Sequence, residues 1–304
     1  MKSLSGIIPI AVTPFHEDGA IDIPGQRRVI RFLIDSGAHG IGLFGNASEG
    51  YTLKEDERMT LMKAIVEENN GAVPLVASSG HTGTDVAVAM SREIEAMGAS
   101  ALMVLPPYYL KPDAEGVVHY YSAISAAVKI PIMVQDAPLL TQVPMGPDLL
   151  ARMGRDIENV RLVKVEAPPT PSKISRLKQV AGDSLTLLGG LNGQFLLEEL
   201  GRGSVGTMPG SDMTEAFVRI WTAWQKGDKA TAATEFARHL PLIRYELQPG
   251  MGVAVMKQNL KDAGIIESAR VRHPTRGLDA VDIAEVRELR ASLDLFAFRW
   301  AGAK

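Results

Sequence analysis

Short runs of apolar residues recur along the chain, and each is followed by a longer amphipathic stretch. Most of the runs are apolar almost without interruption, which is typical of parallel β-strands buried on both faces. Their starts lie roughly 20 to 35 residues apart, about the length of one βα unit. Eight runs predict strands: Gly6–Val12, Gly40–Gly45, Pro74–Ser79, Ala101–Pro106, Pro131–Ala137, Val160–Glu166, Leu185–Gly190 and Ser204–Pro209.

Between these runs the apolar positions follow the helical period, and after the eighth run the helical pattern continues along the rest of the chain. The alternation of strand and helix indicates repeated βα units. The stretches that predict helices are Ile23–Ser36, Lys54–Glu68, Thr214–Lys226, Ala230–Leu247, Met251–Ala263 and Ala284–Leu295.

Several residues mark where helices should begin, end or bend. Asp113 and Thr84 are predicted N-caps, and Gly37 and Gly98 stand where helix C-caps are expected. Pro241 falls inside a predicted helix, so we expect a kink or a break there.

Eight βα units favour a single α/β domain, a (β/α)8 TIM barrel with a C-terminal helical extension. We expect residues 1–225 to form the barrel and residues 226–304 the extension, packed on the barrel as one structural unit. The alternative is an open doubly wound sheet. No G-x-G-x-x-G follows the first strand, which weakens the nucleotide-binding form of that alternative.

Composition narrows the function classes. Of the 304 residues 46% are hydrophobic and 22% charged, values typical of a soluble enzyme and far from those of a disordered tail. The net charge is −3 and no basic stripe is visible, so we expect no nucleic-acid partner. The chain has no apolar run of ~18 residues and no signal-peptide pattern at its start, so we expect no membrane partner and a cytoplasmic location.

Other common kinds of site lack their residues. The chain has no cysteine, which excludes disulfides and a thiol nucleophile. Its six histidines are scattered without H-x-x-H or H-E-x-x-H spacing, so we expect no metal. No G-x-S-x-G motif supports a serine hydrolase.

Lys164 is the leading candidate for chemistry. It lies in the sixth predicted strand, whose centre is apolar. Lysine is almost never fully buried without a partner or a purpose. Burial disfavours the ammonium form and leaves the neutral amine that attack on a ketone requires. The plainer alternative, a strand-end lysine that reaches solvent, is equally compatible with the strand context alone.

Two polar features follow other predicted strands, where the active site of a barrel lies. Asn46, Ala47 and Ser48 form a small turn that could hold a carboxylate, although a simple βα turn in which Ser48 caps the next helix explains the same residues. Tyr109 follows the fourth strand, where a phenol could carry a proton or merely pack.

Landmarks at these strands carry a resemblance to a known family. The chain resembles the dihydrodipicolinate synthase/N-acetylneuraminate lyase family of class I aldolases and dehydratases, from about Gly6 to Ile266. The matching segments are Pro9–Pro14 with Thr13, Gly45–Glu49 in place of Gly-Thr-Thr-Gly-Glu, Pro107–Pro112 around Tyr109, and Lys164 followed by Glu166-Ala167.

Three departures bear on the reaction. Gln135 stands where the family usually has its proton-shuttling tyrosine, and an amide cannot titrate at neutral pH. Leu140 replaces the arginine with which dihydrodipicolinate synthases bind their second substrate, and Asn46 and Ala47 replace two threonines. These changes argue against dihydrodipicolinate synthase activity. A subgroup, the 2-keto-3-deoxy-L-arabonate dehydratases, is similar at these positions.

The resemblance implies a Schiff-base lyase that dehydrates a 2-keto-3-deoxy sugar acid to a semialdehyde. Its cofactor-free imine would form on Lys164, with Tyr109, Gln135 and Ser48 as candidates for proton relay or for orienting the leaving hydroxyl. The residues expected at the substrate are Asn46, Ala47 and Ser48 at its carboxylate, Gly189 and Gly190 where the backbone approaches it, and Val205.

Two further functions remain open from the sequence. A pyruvate-dependent aldolase or dihydrodipicolinate synthase-like condensing enzyme shares the imine chemistry, and a non-catalytic barrel could bind keto acids. The resemblance also implies a small 2-keto acid as the partner molecule and a homodimer or homotetramer. The sequence leaves open whether Lys164 itself, Tyr109 through a water, or a group of the substrate accepts the C3 proton. It predicts neither the exact substrate nor its stereochemistry.

Overall fold

The computed structural model describes residues 4–302, and eight short strands alternate with helices along that range. All eight runs predicted from the sequence contain an observed strand, in each case shorter than the apolar run. The strands are β1 (Gly6–Ile7), β2 (Ile41–Leu43), β3 (Leu75–Ser78), β4 (Ala101–Val104), β5 (Ile132–Asp136), β6 (Val160–Val165), β7 (Thr186–Gly189) and β8 (Gly206–Thr207).

The helices follow the predicted positions closely in the first half of the chain. They are α1 (Ile23–Asp35), α2 (Glu55–Asn69), α3 (Thr84–Ala96), α4 (Ala114–Ser125), α5 (Pro138–Thr141), α6 (Pro147–Asp156), α7 (Thr170–Ala181), α8 (Leu196–Gly201), α9 (Thr214–Gln225), α10 (Lys229–Glu246), α11 (Gly252–Asp262), α12 (Ala280–Arg290) and α13 (Phe296–Gly302).

Capping explains several helix ends. The Asp113 side chain accepts a hydrogen bond from Gly116 N–H, so it caps α4 as predicted. Thr84 is instead the first residue of α3, whose N-cap is Gly83. Gly37 and Gly98 have φ values of 81° and 103°, the left-handed backbone expected just after a helix.

The C-terminal helices depart from the sequence expectation at two points. Helix α10 runs through Pro241, so the expected break does not occur, and the expected kink stays a prediction. The predicted helix Ala284–Leu295 begins instead at Ala280 and ends at Arg290, because the Asp279 carboxylate caps the chain at that earlier point.

The described residues form two units, one of residues 4–5 with 74–208 and the other of residues 6–73 with 209–302. In the first unit, strands β3 to β8 pair in parallel with their neighbours in chain order. A doubly wound sheet reverses its strand order at a switch point, and these six strands show no reversal. The order and the strand–helix alternation confirm the (β/α)8 class over the described residues. The predicted boundary at residue 225 remains a prediction.

In the second unit, Ile10, three residues after β1, forms a parallel bridge with Gly42 of β2. Ile10 N–H also donates to the carbonyl of Pro209 at 2.8 Å, which ties the first strand region to the start of the C-terminal helices. Across both units the strand residues are buried almost throughout, as their apolar sequences require. No described helix has the length and apolar character needed to cross a membrane.

Candidate functional site

Lys164 lies one residue before the end of β6, between two neighbouring strands. It is in register with Gln135 of β5 on one side and with Leu188 of β7 on the other. Only 5% of the residue is exposed, so a lysine that extends into solvent is excluded. The amine is therefore held among the carboxyl ends of parallel strands, where (β/α)8 enzymes carry their chemistry.

The partner of this amine is a carboxylate that the sequence reasoning did not assign. Glu166 Oε1 lies 3.1 Å from Lys164 Nζ. The other carboxylate oxygen accepts a hydrogen bond from Gln135 Nε2 at 2.8 Å, and Leu191 N–H donates to Oε1 at 3.2 Å. Three partners thus fix the orientation of a nearly buried carboxylate beside the amine.

A signal for Glu166 was present in the sequence. Side chains two positions apart in a strand point to the same face. Glu166 is two residues after Lys164, so the strand period alone places both on one face. The family resemblance uses Glu166 only as a landmark beside Lys164.

Gly189 and Gly190 make room for carboxyl groups. A Cβ at Gly190 would overlap the Glu166 side chain, and a Cβ at Gly189 would overlap the carboxylate of Glu199. The absence of side chains at the end of β7 therefore allows two acidic residues to approach its backbone. Their expected contact with substrate stays a prediction.

A second ion pair involves the buried carboxylate of Asp136, the residue that follows Gln135. Lys173 Nζ is 2.5 Å from Asp136 Oδ2, and it also donates to the carbonyl of Met145 at 2.8 Å. Burial raises the pKa of the Asp136 carboxyl, and the positive charge of Lys173 opposes that rise. Lys173 thus contacts two oxygen acceptors, whereas Lys164 pairs with one carboxylate among residues 4–302.

Two predicted site residues of this unit are not brought to Lys164. Tyr109 is 87% exposed, and its phenol makes no hydrogen bond within residues 4–302. Val205 precedes β8, and its N–H donates to Leu187, while Gly189 pairs with Thr207 nearer the carboxyl end. The roles of Tyr109 and Val205 remain predictions.

In the other unit, Asn46, Ala47 and Ser48 form a single 3-10 turn directly after β2. The Ser48 hydroxyl donates to the carbonyl of Ala11 at 2.6 Å, and Ser48 does not cap α2, whose N-cap is Lys54. In the part of the chain that the structure describes, the N–H groups of Asn46 and Ala47 have no acceptor. Those two donors are the ones a carboxylate could use, so carboxylate binding by this turn remains a prediction.

The turn is anchored through Glu49, which follows it with a φ of 52°. The fully buried Lys257 forms an ion pair with Glu49, and burial lowers the pKa of Lys257 to about 8. Arg272 N–H donates to Glu49 Oε1 at 2.7 Å, and the Thr275 hydroxyl does so at 3.1 Å. The C-terminal part of the chain therefore holds the turn after β2.

One group of side chains in this unit has the spacing of metal ligands. Oxygen or nitrogen atoms of His16, Asp22 and Glu267 lie within 4.8 Å of one another. The Arg28 guanidinium is 3.9 Å from Asp22 and 3.4 Å from Glu267, so a cation already faces both carboxylates. The Asp22 carboxylate also caps α1. The expectation of a metal-free enzyme stays a prediction.

Comparison with known proteins shows the family to which this chain belongs. Residues 3–291 match the model of the dihydrodipicolinate synthetase family. The chain belongs to this family. The membership confirms the resemblance drawn from the sequence landmarks.

Relatives within the family differ in their activities. The chain is 34% identical over 303 residues, 97% of its length and 96% of the relative's, to the L-2-keto-3-deoxyarabonate dehydratase of Azospirillum brasilense. It resembles the crystal structure of dihydrodipicolinate synthase from Rhodopseudomonas palustris with a TM-score of 0.89 and 29% identity, covering 95% of this chain and 97% of that one. As a member of the dihydrodipicolinate synthetase family with a dehydratase relative, the chain is a lyase of the class I aldolase type.

A further solved relative carries a keto acid. It is a prophage protein of the dihydrodipicolinic acid synthase family from E. coli K12, in complex with pyruvate. The TM-score is 0.90 at 25% identity, with 96% of this chain and 99% of that chain covered. The homodimer or homotetramer expected for this chain stays a prediction.

Proposed function

We propose that this chain is a Schiff-base-forming hydro-lyase that converts a 2-keto-3-deoxy sugar acid, such as 2-keto-3-deoxy-L-arabonate, into a semialdehyde. The observation that carries the proposal is the Glu166 carboxylate, 3.1 Å from Lys164 Nζ and oriented by Gln135. The dehydratase relative from Azospirillum brasilense supports the substrate class. The covalent imine on Lys164 replaces any separate cofactor.

In the first step Glu166 takes a proton from the Lys164 ammonium, and the neutral amine attacks the C2 carbonyl of the substrate. The resulting carbinolamine loses its hydroxyl as water, with the proton returned by Glu166. A protonated imine remains, with its nitrogen in the position that Nζ now occupies. The ion pair at 3.1 Å is short enough for direct proton transfer in both directions.

In the second step the imine acts as the electron sink. Carbon C3 is two bonds from the imine nitrogen, so we assign the C3 proton to the carboxylate beside Nζ. The enamine that forms expels the C4 hydroxyl, which leaves as water with the proton that Glu166 acquired. Tautomerisation and hydrolysis then release the semialdehyde and the free amine.

Gln135 determines which group carries the protons in this scheme. Its amide cannot exchange protons as the family's usual tyrosine does, and it instead donates to Glu166. The proton transfers then fall to Glu166, which serves as base and afterwards as acid. Tyr109 acting through water remains a second candidate for the relay.

The condensing enzyme is the second candidate function, because the Rhodopseudomonas palustris relative is a dihydrodipicolinate synthase. Leu140 is apolar and 56% exposed, so it offers no cation to a second carboxylate substrate. The products separate the candidates. Dehydration keeps all substrate carbons in one product, whereas aldol cleavage yields pyruvate.

The test combines a substrate screen with trapping. 2-Keto-3-deoxy acids are incubated with the protein and their products identified by mass, while borohydride with pyruvate labels any imine-forming lysine. We expect a semialdehyde from at least one acid and a reduced adduct on the Lys164 peptide. A keto-acid-binding protein without catalysis would give no adduct, and pyruvate as the main product would favour the aldolase.

The role of Glu166 has its own measurement. Pyruvate that forms an enamine exchanges its methyl protons in deuterated water, so NMR reports C3 deprotonation without any dehydration. Glu166→Gln keeps the side-chain shape and removes the base, so we expect exchange to fall by roughly 100-fold or more. Exchange at the normal rate in this variant would assign the base elsewhere.

A further inference from the structure

The buried carboxyl group of Glu199 lies against the end of β7 and has no role in the scheme above. Glu199, on α8, is 1% exposed. Its Oε1 accepts a hydrogen bond from the Thr170 hydroxyl at 2.5 Å. Its Oε2 is buried without a hydrogen-bond partner among residues 4–302, and no ion pair reaches it there. An ionised carboxylate in such surroundings is costly, since it has one neutral donor and no counter-charge.

This carboxyl group is connected to the site through two adjacent glycines. Glu199 Oε2 occupies the space that a Cβ of Gly189 would need, and Glu166 occupies the corresponding space at Gly190. The Cα atoms of neighbouring residues are only about 3.8 Å apart. Glu199 and Glu166 therefore flank consecutive residues of one short segment, and the charge on either affects the other.

We propose that Glu199 is a positioning residue for Glu166. While Glu199 is uncharged, Glu166 can accept the proton of Lys164, and ionisation of Glu199 suppresses turnover. This inference rests on the proposed function, because it assumes that the Lys164–Glu166 pair performs the proton transfers. A second negative charge behind β7 would favour the protonated forms of both Lys164 and Glu166. The ammonium form of Lys164 cannot attack the carbonyl, and a Glu166 that already holds a proton cannot take the one on Lys164.

The groups around Glu199 bring its pKa close to neutral pH. Burial is the main cause that raises the pKa of Glu199 to about 7, while the Thr170 hydrogen bond lowers it. The negative charges of Glu198, on the same helix, and of Glu166, after β6, raise it further. The neighbours from β7 and β8 are Gly189 and Thr207, which carry no charge.

The test compares isosteric variants over a range of pH. Glu199→Gln keeps an acceptor for Thr170 and cannot ionise, so it represents the uncharged form at every pH. We expect the ratio of kcat/KM in Glu199→Gln to that in the wild type to rise roughly tenfold through a single ionisation near pH 7. A ratio that is constant with pH would leave Glu199 a packing residue and overturn the inference.

Glu198→Gln is the matched control, because Glu198 neighbours Glu199 but is exposed. Its effect should be small and should vanish at high salt, since exposed charges are screened. Thr170→Val removes the hydrogen bond that favours ionised Glu199. It should therefore move the midpoint of the wild-type profile to higher pH, and a midpoint that stays in place would count against the inference.

An infrared measurement separates this inference from the proposed function, because it needs no turnover. The wild type should show the carbonyl stretch of a neutral carboxylic acid that disappears as pH rises through about 7, and Glu199→Gln should lack it. If the band is absent from the wild type below that pH, the inference fails even where borohydride traps an imine. If the band is present but no imine forms on Lys164, the proposed function fails instead.

Discussion

Replacement of Gln135 by alanine tests the central geometry of the site. Gln135 Nε2 donates to Glu166 Oε2 at 2.8 Å, and only 2% of Gln135 is exposed. A hydrogen bond to a charged group contributes about 1.5–3 kcal/mol. Each 1.36 kcal/mol in the barrier is tenfold in rate. We therefore expect kcat for dehydration to fall roughly 10- to 150-fold in Gln135→Ala.

The same variant should still form the imine. Lys164 and Leu191 N–H continue to hold Glu166 Oε1, so the first proton transfer keeps its partners. The assay follows semialdehyde formation by mass in a single turnover, alongside borohydride trapping on Lys164. Gln179→Ala, at an exposed position on α7, is the control and should leave both readouts unchanged.

Two outcomes would refute this reasoning. Full dehydratase activity in Gln135→Ala would show that the orientation of Glu166 is not limiting and that Gln135 is a packing residue. Loss of the borohydride adduct together with turnover would show that Gln135 is needed before the imine forms, and the division of roles between Gln135 and Glu166 would be wrong.

Three further results are expected. Lys164→Ala should abolish the pyruvate adduct, whereas Lys173→Met should retain it on Lys164; peptide mapping that finds the label on Lys173 would contradict the assignment. The wild type should condense pyruvate with aspartate semialdehyde at a kcat/KM below the common lower value of ~10⁴ M⁻¹s⁻¹, because Leu140 provides no cation, and efficient turnover would show that this substitution was over-interpreted. The Arg272 guanidinium lowers the pKa of Glu57 to about 2, so this pair should contribute stability above pH ~4.5 that is lost as pH falls towards 2, about 1 kcal/mol once solvent screening is allowed for; urea unfolding of the wild type and Glu57→Gln should converge at low pH.

The sequence predicted the strands well because burial on both faces leaves a strong apolar signal. The bounds of the C-terminal helices were predicted less well, because local features such as helix caps compete with the apolar period. The predicted helix at Ala284–Leu295 was misplaced because the cap of Asp279 outweighs the apolar period that suggested a later start. A kink or a break was expected at Pro241, but α10 continues through it from Lys229 to Glu246.

The part of the site that lies along a single strand could be predicted from the sequence. Lys164 could be chosen from its strand, and the position of Glu166 two residues later was available to the same reasoning. Glu199 could not be found in this way. Its significance depends on Thr170 of α7, 29 residues earlier in the chain, and on Gly189 at the end of β7. Such contacts leave no periodic signal.

The unit that contains the turn after β2 is assembled from the two ends of the chain, and this has a consequence for synthesis on the ribosome. Glu49 is made long before Lys257, which supplies its buried countercharge 208 residues later. Glu57 likewise awaits Arg272. The continuous segment 74–208 is complete before either partner emerges. During translation the N-terminal segment therefore carries acidic groups without their partners, and a ribosome that stops before residue 257 leaves a chain whose Glu49 has no cation to pair with.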